Sequence, residues 1–286
     1  MAREDPLNAA FAHMLFWRVM PSRKLSKKSS AQKKKAARPS SDGLSPFKTR
    51  KIGKKECVLG TDPRRVAAIL AGLDEMYPNA TCELNHANPF QLLVSTILSA
   101  QCTDVRVNQV TESLYKKYPK PEAFAYATPG ELEQEIRPTG FFRNKTKSVM
   151  GASKAIVEEF GGQVPKSMEE ILTLPGVARK TANVVLGTAY GIAAGVVVDT
   201  HVMRLSRRLD LSRKGEPPKI EQDLMAVIPQ NKWIEFSHQL IWHGRRVCVA
   251  RKPRCVDCNL EPVCYSVDKT MSTHPDSPCL PESYLK

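Results

Sequence analysis

Val66, Ile69, Leu70, Leu73, Met76 and Tyr77 recur at three- and four-residue intervals, so one face of the segment after Asp62-Pro63 is apolar and predicts an amphipathic helix. Asp62 offers a side-chain acceptor to the first turn, and Pro63 lacks the N–H that would be unpaired there anyway. A second such start, Asn88-Pro89, opens PFQLLVSTILSAQ, which is apolar on nearly every side and so belongs in the middle of a lobe. The same period predicts helices near 104–118, 130–137, 144–160, 167–174, 178–190, 200–209, 219–227 and 233–246, with Asp104 expected to cap the first of them. No alternating run is long enough for a strand ladder; VVVD at 196–199 is short and runs into a helix. The pattern predicts an all-α fold that ends in a cysteine-bounded loop.

Outside these segments the periodicity lapses. Residues 21–55 are rich in Lys, Ser and Pro, so residues 1–61 are expected to form a disordered basic arm, and residues 267–286, with Pro275, Pro278 and Pro281, an unpacked tail. The apolar stretch from Ala9 to Met20 is too short to cross a bilayer, follows Glu4 and Asp5, and has no cleavage pattern. It predicts neither a secretion signal nor a membrane anchor; a true start at Met14 or Met20 is the plain account. The formal charge of +14 points to a polyanionic partner, nucleic acid first. Its location matters more than its size: residues 1–55 carry a net +12 and residues 56–286 only +2. Any DNA-binding face on the folded part must therefore come from arrangement.

Three local patterns carry chemistry. Ser167-Met-Glu-Glu170 is a capping box for a helix over Met168–Leu174, and Leu174-Pro175-Gly176-Val177-Ala178 reverses the chain into RKTANVVLGTAYG. The second helix thus begins with outward N–H groups, where an anion binds well. Lys180 sits in its first turn, by itself a solvated or phosphate-contacting lysine. Asp199 caps the next helix, a role worth about 1 kcal/mol. Four of the eight cysteines, Cys248, Cys255, Cys258 and Cys264, crowd into 17 residues, while Cys57, Cys82, Cys102 and Cys279 are scattered. Such clustering indicates a metal or cluster site in a reducing compartment, and four thiolates suit Zn²⁺ and an iron–sulfur cluster about equally.

LPGVARKTANVVL resembles the helix-hairpin-helix of DNA repair enzymes. With VVVDTHVMR at 196–204, LSAQCTD at 98–104 and the lead-in IWHGRRVC to the cysteines, it resembles the endonuclease III family over residues 62–266. That resemblance implies two helical lobes with a DNA-binding cleft between them. One is a six-helix lobe with the hairpin, residues 82–196. The other is discontinuous, 62–81 and 197–266, and holds a [4Fe–4S] cluster on Cys248, Cys255, Cys258 and Cys264. It implies a bifunctional glycosylase and abasic-site lyase that acts as a monomer on duplex DNA with damaged bases, notably oxidised pyrimidines, or abasic sites. A bacterial protein would be cytoplasmic and nucleoid-associated; nucleus and mitochondrion stay open. Lys180 is the implied nucleophile and Asp199 its electrostatic partner. Gln101 and Phe141 are placed to fill the hole left by an extruded nucleotide, although Phe141 reads equally as a core residue; the Gly176–Ala178 turn is placed to hold a phosphate, and Arg251, Lys252 and Arg254 to touch the DNA backbone. His238 and His243 read as packing or polar-network residues and not as ligands. The chain departs from the family at Ala178, usually glycine, and at Phe141, often aliphatic.

The chemistry accounts for the pair. Breaking an N-glycosidic bond builds positive charge at C1′, which a carboxylate stabilises. A neutral amine can then form a Schiff base that makes the neighbouring proton acidic enough for β-elimination. A lysine must first lose its proton, and desolvation shifts lysines far more than a helix N-terminus does. Lys180 is therefore expected in a buried pocket. Two rivals are weighed by their own features. An adenine-mismatch glycosylase usually lacks the lysine and carries an extra C-terminal domain, and a silent DNA-binding scaffold with a zinc site has no need of the Lys180–Asp199 pair.

Overall fold

A computed structural model describes residues 60–270. The expected arm before Gly60, the tail after Thr270, and Cys57 and Cys279 lie outside the described residues. Among the described residues eleven α-helices follow in order: α1 (Pro63–Met76), α2 (Pro89–Leu98), α3 (Asp104–Lys117), α4 (Pro121–Ala125), α5 (Pro129–Ile136), α6 (Phe142–Glu159), α7 (Met168–Ile171), α8 (Arg179–Tyr190), α9 (Thr200–Arg208), α10 (Pro217–Val227) and α11 (Trp233–Arg246). No strand occurs among the described residues, so the fold is all-α. None of these helices is long and apolar enough to cross a membrane.

The capping residues named from sequence start their helices. Asp62 accepts from the N–H groups of Arg64 and Arg65, Asn88 from Gln91, and Ser167 from Glu170. Two expectations are corrected. Thr103, not Asp104, caps α3, because Asp104 lies one residue inside the helix and pairs with Arg245. The first hairpin helix stops at Ile171 and not Leu174, since Thr173 and Leu174 turn back on Glu170 and Ile171 by shorter-range bonds. The five-residue α4 was not predicted, and α1 ends at Met76. Chain order continues past residue 264: Tyr265 is buried, Asp268 pairs with Arg208 at 2.5 Å and Lys269 with Glu261 at 2.9 Å.

Buried side chains form two clusters. The first runs from Leu84 to Val197 and gathers the apolar faces of α2 to α8, with eight of the ten α2 residues buried at its centre. The second joins Val66, Ile69 and Leu73 of α1 to side chains from Val196 to Leu260. Burying such faces is the main favourable term in holding either set together. A buried polar bridge crosses from one set of helices to the other. Glu221 of α10, 4% exposed, accepts from Arg179 Nε at 2.7 Å and from Asn183 Nδ2 at 2.8 Å, both on α8.

Candidate active site

α8 and α9 meet at one pocket, lined by Lys180 and Asp199 together with Cys82, Glu83, Thr96, Ser99, Asp104, Trp242 and Arg245 among others. The pair named from sequence is thus brought together by elements that the chain separates by a buried valine run. Val196, Val197 and Val198 are buried, and the Val197 N–H donates to Ser237 Oγ at 3.0 Å. That anchors the strand-like approach to Asp199. Asp199 Oδ1 then accepts from the N–H groups of His201 and Val202, both at 2.8 Å. The cap fixes the carboxylate, and no hydrogen bond among the described residues engages its second oxygen.

The expected burial of Lys180 is not found: the side chain is exposed at the pocket mouth. The reason is positional. In the first turn of α8 Thr181 and Ala182 take the inward positions, which leaves Arg179 and Lys180 on the outer side. The adjacent Arg179 is held by Glu221, which fixes the turn that carries Lys180.

The pocket wall also holds charges that sequence reasoning missed. Arg245 pairs with Glu83 and, at 2.7 Å, with Asp104, while Arg246 reaches Glu83 at 3.0 Å. His238 also lines it; burial lowers its pKa and keeps the ring neutral, with Nε2 3.3 Å from Thr188 Oγ1. For Arg245 the signal was its place in IWHGRRVC. Glu83 gave none, being a lone acid in a loop.

The hairpin turn depends on Gly176. Its φ is +77°, and a Cβ there would lie 2.4 Å from Ser148 Cβ on α6. Ala178 is the N-cap of α8 and offers no side-chain cap, so the first N–H groups of α8 face outward without one. Gln101 and Phe141 stand on two separate exposed tips, both in left-handed backbone with φ of 54° and 47°; Phe141 is 63% exposed. Exposure excludes a core role for Phe141.

Cys248, Cys255, Cys258 and Cys264 line a common cavity, and none is in a disulfide. Among the described residues no three His, Cys, Asp or Glu side chains are gathered to hold one metal ion. A group held by all four cysteines would sit in that shared cavity. Burial and the neighbouring thiols push the Cys258 thiol up to about 12, and burial likewise raises Cys248 and Cys264. Thiols set together in so dry a place are poorly served unless a cationic group neutralises their thiolates. Arg208 supports the donor set: it donates to Cys248 Sγ at 3.2 Å and to the Val249 carbonyl at 2.8 Å. Arg204 donates to the carbonyls of Gly244 and Cys248 at 2.8 and 2.9 Å. His243 belongs to a buried polar network, with Nδ1 3.0 Å from Tyr77 Oη and Nε2 3.5 Å from Cys258 Sγ. Arg251, Lys252 and Arg254 are all exposed on the turn between the first two cysteines.

Residues 94–230 match the family model for the HhH-GPD superfamily base excision DNA repair protein. The chain is 57% identical over 208 residues to endonuclease III of Synechocystis sp., covering 73% of this chain and 95% of that one. It is 45% identical over 202 residues to endonuclease III of Bacillus subtilis, covering 70% and 92%. Among solved structures it is similar to a trapped endonuclease III–DNA covalent intermediate, with a TM-score of 0.68, 40% identity, and coverage of 71% and 95%.

Proposed function

The chain belongs to the endonuclease III family within the HhH-GPD superfamily of base excision DNA repair proteins, and from that premise we infer that it is a DNA glycosylase with an attached abasic-site lyase activity on duplex DNA. The observation that carries this reading is the convergence of Lys180 and a capped Asp199 on one pocket.

Extruding the damaged nucleotide costs a few kcal/mol, which the protein must offset. Gln101 and Phe141 enter the duplex from their two tips, and the Phe141 ring stacks on the orphaned base for roughly 1–3 kcal/mol. The Gly176–Ala178 turn presents backbone N–H groups to a phosphate, with the Ala178 methyl making that approach less close than glycine would. Arg251, Lys252 and Arg254 hold the backbone of the flanking duplex. In the chemical step the Lys180 amine attacks C1′ as the base leaves, and Asp199 stabilises the charge that builds on the sugar. The C1′–O4′ bond then breaks, with the ring oxygen taking a proton, to give the protonated imine of the ring-opened sugar, and removal of a neighbouring C2′ proton expels the 3′ phosphate. Because Lys180 is exposed in the free protein, desolvation of its ammonium falls to the bound DNA.

Oxidised pyrimidines are the proposed lesions and the monomer the proposed working unit; in a bacterial cell its place would be the cytoplasm, and nucleus and mitochondrion stay open. The four cysteines would hold a [4Fe–4S] cluster, which supplies a structural cross-link for the loop that carries the three basic residues. A duplex panel of base lesions and an abasic site, scored for base release, nicking and borohydride trapping, tests the reading. Lys180→Gln should abolish trapping and nicking while DNA affinity stays within a few-fold; unchanged trapping removes Lys180 from the mechanism. Metal analysis should find iron and no zinc, and one zinc per chain would overturn the cluster.

A further inference from the structure

α6 carries a buried charge that this reaction does not use. Lys145 is 4% exposed, and its ammonium donates to the Leu98 carbonyl at 2.8 Å and to the Thr139 carbonyl at 2.7 Å. Among the described residues no backbone N–H donates to either oxygen. The N–H groups of Ser99, Ala100 and Cys102 turn to Ser95, Ile97 and Ser99, and that of Gly140 to Arg137. Leu98 is the last residue of α2, and Thr139 ends the 3₁₀ turn Arg137–Thr139 that precedes α6.

Beyond each carbonyl the chain rises to an exposed tip. Gln101 lies three residues after Leu98, and Phe141 two after Thr139. Both adopt left-handed backbone, which is strained for a non-glycine residue and persists only where surrounding structure holds it. A position that needed only filling would take Met or Leu at lower cost than a desolvated ammonium. Burial indeed lowers the pKa of this amine, with the nearby Cys102 thiol opposing the shift.

We propose that Lys145 is a positioning residue that ties the two tip-bearing loops to one nitrogen, holding Gln101 and Phe141 at a fixed separation so that both enter the base stack together. This rests on the reading of those two residues as wedges. A wedge pair held in register acts when a nucleotide must leave a paired duplex. It has little to do when the opposite strand has no base to part from.

Lys145→Met fills the same space without either hydrogen bond. Single-turnover base release is measured on a lesion in a fully paired duplex and on the same lesion facing a one-nucleotide gap. The paired substrate should lose about tenfold to a hundredfold, the scale of misplacing a positioned group by about 1 Å, and the gapped substrate should stay near the parent. Lys145→Gln keeps amide donors on a shorter stem and should fall between; if Lys145→Met does not fold, its paired-to-gapped ratio decides. Equal losses on both substrates, or none on the paired one, overturn the proposal. Gln101→Ala and Phe141→Ala serve as controls. If neither shows the duplex-specific loss, the wedge reading falls; if they show it and Lys145→Met does not, the positioning role alone falls.

Discussion

Replacing Gly176 by alanine tests how the hairpin is seated. Two costs combine. The residue sits at φ +77°, where a Cβ costs about 1–2 kcal/mol. That Cβ would also lie 2.4 Å from Ser148 Cβ and 2.5 Å from its Oγ, a clash with the root of a side chain on a helix and not with a flexible end. Overpacking of this kind costs about 1–3 kcal/mol. Gly176→Ala should therefore destabilise by about 2–5 kcal/mol, each kcal/mol lowering the melting temperature by about 2–4 °C in a fold of this size. Ser148→Gly removes the obstructing atoms and by itself costs about 0.5 kcal/mol of helix propensity. In the double variant the clash disappears and the backbone strain stays, so the pair should be less unstable than the sum by about 1–3 kcal/mol. Melting curves of the four proteins give the cycle, and affinity for a duplex with an abasic analogue should follow the same order. Additivity to within about 0.5 kcal/mol would refute the Cβ contact, and a Gly176→Ala protein as stable as the parent would refute both costs.

Asp199→Asn should melt within a few tenths of a kcal/mol of the parent, because Asn caps as well as Asp, yet lose base release by orders of magnitude; parental base release in this variant would end the electrostatic role. Asp199→Ala should lose about 1 kcal/mol of stability in addition. His238 has its pKa lowered by burial, so the unfolded chain binds the proton more readily: its stabilising share is present above the ordinary histidine range and lost as pH falls through that range towards the folded value. His238→Gln should flatten this acid-side decline in a series of melts across pH, and an unchanged slope would show that the ring is not desolvated. Deleting residues 1–55, which carry net +12, should reduce the log–log salt slope of duplex binding by about 5, at about 0.9 per phosphate neutralised with half a dozen engaged. Single-turnover cleavage at saturating enzyme should hardly change; an unchanged salt slope would mean that the arm does not engage DNA.

What could be read from the chain beforehand was local. Asp62, Asn88, Ser167 and Asp199 each cap with their own first turn, so the cause and its effect lie within three residues. α4 was missed because five residues are too few to display a period. Asp104 was assigned a cap from its residue type alone, and a guanidinium from far along the chain engages it instead. The exposed Lys180 shows a different error: burial was argued from what the reaction needs, and the free protein need not satisfy a condition that DNA can supply. Glu221 and Lys145 are charged residues that look like parts of solvated faces until their partners are known. Lys145 did leave a trace, since it falls on one buried stripe with Val149, Ala152 and Ile156.

The division of the buried side chains has a consequence for synthesis. α1 is the first described helix to leave the ribosome, yet the rest of its core begins roughly 120 residues later, at Val196, a delay of about 6–24 s at about 5–20 residues per second. During that interval Val66, Ile69 and Leu73 have nothing to cover them, while everything from Leu84 to Val197 can close upon itself. The oldest helix is thus among the last to dock, and it does so as the cysteine turn emerges. A nascent chain with its first 200 residues outside the ribosome would present one finished lobe beside an uncovered apolar helix, a natural target for a chaperone.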